Sequence, residues 1–168
     1  LLQTRSTGAT ASALLTALFV LVNAFGNLMG GWFMHRNVPL GRIIGVTFAI
    51  TTMAFLAIFA DGLPDAVRYA CVLAYSFVTG NIPPAVFTGS VRHARSPSEA
   101  GSLQGLIVQV SNVGIFAGPP LIAAAVTHGG GWGAALRVIL AAAAVGLAAS
   151  FAIARLEAPR RRAQNPTV

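Results

Sequence analysis

The sequence predicts an all-α membrane protein with five transmembrane helices, and three observations lead there. Five stretches with almost no charge, each long enough to cross a bilayer, follow one another along the chain. The loops between them are alternately rich and poor in arginine. Composition agrees, with 55% hydrophobic residues against 9% charged and a positive mean hydropathy, so no soluble core needs to be accounted for.

The expected spans are Ala11–Met34, Ile43–Ala60, Tyr69–Val91, Leu103–Thr127 and Ala134–Ala154, forming one membrane domain over 1–168 that ends in a basic tail at 155–168. At about 1.5 Å per residue, roughly 20 residues cross the hydrocarbon layer. The second span is the shortest at 18 residues and still suffices.

Each span has its own character. The first carries Asn23, Asn27 and a glycine-rich end, Gly26-x-x-x-Gly30. The second opens on Gly41-x-x-x-Gly45. Tyr75 and Thr79 share a face of the third, which Asn81-Ile82-Pro83-Pro84 interrupts; its Cys71, the sole cysteine, has no internal partner and reads as a packing residue. The fourth holds Gly101-x-x-x-Gly105, the amides Gln109 and Asn112, Gly114-x-x-x-Gly118 and the pair Pro119-Pro120. The fifth has one charge, Arg137, close to its start.

Small residues at four-residue spacing let helix backbones approach closely in lipid, where no hydrophobic force drives helices together. Prolines inside a span remove donors and free carbonyls, so both double-proline sites predict interrupted helices of the kind that line transport cavities.

The arginines set orientation. Arg36, Arg42, Arg92, Arg95, Arg155, Arg160, Arg161 and Arg162 fall on one side, eight in all, against Arg5, Arg68 and Arg137 on the other. The positive-inside rule then predicts an outer amino terminus and a cytoplasmic carboxyl terminus. A net charge of +7 also fits nucleic acid, but these arginines sit at span ends, which assigns them to topology and to the anionic headgroups of the lipid bilayer. The expected partners therefore include the bilayer and no nucleic acid.

Two motifs resemble the major facilitator superfamily of secondary transporters. Gly31-Trp32-Phe33-Met34-His35-Arg36 followed by Gly41-Arg42 is similar to that family's cytoplasmic loop signature, with His35 in place of its acidic residue and three extra residues before Gly41. Gly105, Gly114, Gly118 and Pro119 are similar to its glycine-proline signature, although Ile122 and Ala123 stand where closing glycines are usual, which speaks against an antiporter. Gln109-x-x-Asn112-x-Gly114 leading into Gly118-Pro119-Pro120 also resembles the cyanate-transporter-like branch.

The resemblance implies that the spans correspond to the eighth to twelfth of that fold. The chain would be an incomplete C-terminal half, partnered by a missing N-terminal half, in a bacterial cytoplasmic (inner) membrane. The chain begins Leu1-Leu2-Gln3 without an initiator methionine, which also reads as a fragment. Two polar helices three spans apart, the first and the fourth, fit an inverted repeat.

The function expected is secondary active transport of a small polar or anionic solute by alternating access. Amides and hydroxyls inside spans are the candidates for substrate contact: Asn23, Tyr75, Thr79, Asn81, Gln109 and Asn112, each of which has interhelical hydrogen bonding as its alternative. The alternatives in function are a permease subunit and a non-transporting integral-membrane scaffold. No catalytic constellation, metal spacing among the three histidines, or cofactor motif points to an enzyme. All four acids, Asp61, Asp65, Glu99 and Glu157, fall in expected loops, so these spans carry no carboxylate proton relay.

Overall fold

The computed structural model describes residues 9–60 and 62–164, with side chains through 158; Arg5, Asp61 and the end of the expected tail lie outside the described residues. Among the described residues all regular structure is helical: α1 (Ala9–His35), α2 (Leu40–Phe59), α3 (Asp65–Gly80), α4 (Ile82–His93), α5 (Pro97–His128) and α6 (Trp132–Gln164). Taken across the junction between α3 and α4, five stretches are long and apolar enough to cross a membrane. Large hydrophobic side chains stay outside: Phe116 is 85% exposed and Leu28 and Ile115 are each 72% exposed, surface that suits hydrocarbon and would aggregate in water.

Local chemistry sets the helix ends. Asn37 takes the left-handed conformation (φ 57°) after α1. Its N–H bonds Met34 O at 3.1 Å and that of Val38 bonds Phe33 O at 3.0 Å, the paired closure of a Schellman turn. Asparagine tolerates this geometry, and Pro39 then prevents the helix from resuming before α2. Arginines cap other carbonyls: Arg92 donates to Met34 O at 2.5 Å and Arg68 to Ala60 O at 2.6 Å. At the start of α5, Ser96 Oγ accepts from Glu99 N at 3.2 Å while the Glu99 carboxylate accepts from Arg95 N at 2.7 Å. With Pro97 in the first turn, this variant of a capping box starts the helix at Pro97 rather than at the expected Leu103.

Two close crossings hold the bundle. On α1, a Cβ at Gly30 would lie 2.6 Å from Asn81 O and 2.8 Å from Pro84 Cγ, and one at Gly26 would overlap Phe77 O. Gly80 faces them, its own Cβ position 3.1 Å from Gly26 Cα. Between α2 and α6, a Cβ at Gly41 would lie 2.8 Å from Ala154 Cβ, one at Gly45 would lie 3.1 Å from Ser150 Oγ, and one at Gly146 would run into the Phe48 ring. The small-residue pattern is thus used as expected at the end of α1 and the start of α2.

Three expectations are corrected. Gly101, Gly105, Gly114 and Gly118 meet nothing within 4 Å, because α5 turns them away from α4 and α6, the helices it packs on. The fourth span is one helix from Pro97 to His128, with Pro119 and Pro120 inside it, so the double proline does not interrupt it. Two missing N–H donors are tolerated where the turns on either side keep their own bonds. The third span is not unwound at its double proline either, because Asn81 keeps helical dihedrals (φ −70°, ψ −23°) and Pro83 and Pro84 fall in the first turn of α4.

Candidate functional site

The third span passes from α3 to α4 through Asn81 without unwinding, its backbone there staying helical (φ −70°, ψ −23°). Asn81 joins α3 to α4, is 5% exposed, and turns its side chain back onto the helix it ends. Its Nδ2 donates to Phe77 O at 3.2 Å and to Val78 O at 3.1 Å, while Thr47 Oγ1 on α2 donates to Val78 O at 3.3 Å. These bonds gather on carbonyls in the last turn of α3, where Val78 O accepts from both α2 and Asn81. Asn81 Oδ1 and Thr51 Oγ1 are buried without a partner.

Around this junction the polar side chains tie α1 to α3. Asn23 Nδ2 donates to Ser76 O at 2.9 Å, and Ser76 Oγ donates back to Phe19 O at 2.7 Å. Asn27 Nδ2 reaches Asn23 O at 3.1 Å and Asn23 Oδ1 at 3.2 Å. Nearer the other end, Tyr69 OH bonds Leu15 O at 2.5 Å. Each such bond contributes about 0.6–1.7 kcal/mol between helices in a membrane.

Of the predicted substrate residues, four lie in this region and are engaged by their neighbours. Asn23 is tied to α3 and Asn81 to its own helix. Thr79 Oγ1 bonds Tyr75 O at 2.9 Å and Ser76 O at 3.2 Å. The Tyr75 ring stands edge-on to Phe55, centroids 5.0 Å apart, with Phe19 at 6.4 Å. Gln109 and Asn112 are elsewhere, exposed on the same outer face of α5 as Gly105 and Phe116. That helix packs on α4 and α6 and does not reach α1 or α3. The six candidates therefore form two groups, one packed within the bundle and one presented outward.

At the opposite end from the α2–α3 turn, the basic helix ends gather. Arg36 lies 5.0 Å over the Trp32 ring and Arg155 lies 4.4 Å over that of Phe151. The Glu157 carboxylate on α6 accepts the N–H groups of Leu40 at 3.1 Å and Gly41 at 3.2 Å, opening α2. Position 35 offers the loop no acid, so the anion that complements this helix start comes from α6 instead. Arg42, exposed beside it, lines two clefts: one of about 460 Å³ against α6 and one of about 310 Å³ between α1, α2 and α3.

Ser76, Thr47 and Glu157 were not among the expected functional residues. Ser76-x-x-x-Gly80 carried a signal for Ser76, since it repeats the small-residue spacing of Gly26-x-x-x-Gly30 on the facing helix. Among the described residues no cluster of three histidine, cysteine or acidic side chains is arranged to hold a metal ion. Comparison with known protein families, with curated proteins and with solved structures finds no match for this chain.

Proposed function

We propose that this chain provides most of the C-terminal half of a secondary transporter of the major facilitator superfamily. In this reading it moves a small polar or anionic solute by alternating access, together with a second membrane bundle, in a bacterial cytoplasmic membrane. The observation that carries the reading is the exposure of Gln109 and Asn112 on a helix otherwise lined by Leu106, Val113, Ile115 and Phe116. Amides left in hydrocarbon are costly, so this face calls for water, a solute or another protein surface.

The loop residues Gly31, Arg36, Gly41 and Arg42 and the α5 residues Gly105, Gly114, Gly118 and Pro119 carry the family resemblance. An amide pair provides donors and acceptors without net charge. A neutralising cation for an anionic solute would come from the second bundle.

Accessibility tests this without knowing the solute. In a Cys71→Ala background and in native membranes, Asn112→Cys should react with a water-soluble thiol reagent, whereas Leu28→Cys, on the outer face of α1, should not. Equal lack of reaction at Gln109→Cys and Asn112→Cys would place this face against lipid or protein and remove the aqueous pathway.

A further inference from the structure

We propose that the groove between α1 and α2 binds one anionic phospholipid, with its phosphate on Arg42 and an acyl chain running inward between the two helices. Beyond the Asn37 turn, α1 leans on α3 and α4 while α2 leans on α3 and α6, so the two separate and leave a groove floored by α3. Its volume is about 310 Å³, and Phe33, Val38, Val46, Ile50 and Phe77 supply apolar walls.

The shape and charge of this groove fit an amphiphile. Arg42 is in the first turn of α2 and exposed, whereas Ile50 lies eight residues further on, which is roughly 12 Å deeper along the helix. The groove thus starts at a helix end beside a guanidinium and runs to hydrocarbon depth. Asn81 and Thr47 at its floor spend their donors on Phe77 and Val78 carbonyls, which leaves no free donor there for an anionic solute. A second copy of the chain carries the same net charge of +7 and would be repelled, whereas an anionic lipid is attracted. Arg42 can lay its stem along the apolar wall and hold its guanidinium at the interface, where an anionic headgroup would meet it. The proposal rests on membrane residence alone and is independent of transport.

The natural reporter is Trp32, whose ring lies 5.4 Å from that of the groove residue Phe33. The full chain carrying Trp132→Phe would be reconstituted in phosphatidylcholine vesicles containing a rising fraction of phosphatidylglycerol brominated on its acyl chain, which quenches tryptophan on contact. Brominated phosphatidylglycerol should half-quench Trp32 at a several-fold lower fraction than brominated phosphatidylcholine. Arg42→Gln should abolish that preference and Arg95→Gln, which removes the same charge outside the groove, should retain it. Val46→Phe should weaken quenching by narrowing the groove, with helix content by circular dichroism unchanged. Equal quenching by both lipids, or equal loss in the Arg42 and Arg95 variants, would overturn the site in favour of diffuse surface charge. Disulfide dimers formed by Val46→Cys in a Cys71→Ala background, undiminished by phosphatidylglycerol, would give the groove to a second copy and overturn it as well.

Discussion

Glu157 near the end of α6 accepts the backbone N–H of Gly41 at 3.2 Å, and its other oxygen accepts that of Leu40 at 3.1 Å. One carboxylate thus closes the start of α2 from a residue more than a hundred positions away in sequence. It also fixes the end of α6 where Gly41 lies against Ala154.

The first prediction follows from that contact. Glu157→Ala leaves two orphan donors and removes the charge that complements the helix dipole, so it should lower stability by about 1 kcal/mol. Glu157→Gln, which keeps one accepting oxygen, should lower it by less. Thermal unfolding of the purified protein in detergent measures both, and an unchanged Tm for Glu157→Ala would show that the cap contributes nothing.

The second prediction separates used from unused glycines. Gly30→Leu would drive a side chain into Asn81 and Pro84 and should cost about 1–3 kcal/mol, whereas Gly114→Leu meets open space and should leave this chain's stability nearly unchanged. Comparable losses in the two variants, read from Tm or from yield of folded protein, would contradict the assigned crossing of α1 over the α3–α4 junction.

A third prediction contrasts two asparagines. Asn81→Leu strips Phe77 O and Val78 O of a donor in a buried site and should cost about 1–3 kcal/mol. Asn112→Ala should leave stability unaltered and, under the proposed transport function, weaken solute affinity of the full-length protein several-fold, as one lost hydrogen bond of about 0.5–1.5 kcal/mol requires. Intact affinity with collapsed stability for Asn112→Ala would make it a structural pin.

The fourth prediction concerns orientation. Gly62→Cys in a Cys71→Ala background should react with an impermeant thiol reagent added from outside intact cells, because the arginine-rich ends face the cytoplasm under the positive-inside rule. Labelling confined to inverted vesicles would reverse the assignment.

The sequence by itself determined that the chain is helical and that five stretches are apolar and long enough to cross a membrane. Those properties follow from runs of apolar residues, which act within one segment. The earlier start of α5 was also legible, in Ser96-Pro97-Ser98-Glu99, although hydropathy alone placed it at Leu103. Tertiary structure decided the rest. Gly26, Gly30 and Gly80 interlock while Gly105, Gly114 and Gly118, with the same spacing, touch nothing, because spacing creates a smooth face and only the position of a neighbour turns it into a contact. In the same way Asn23 and Asn112 are alike as residues, yet one is bonded to Ser76 and the other is exposed, since satisfaction of an amide depends on which backbone lies opposite it.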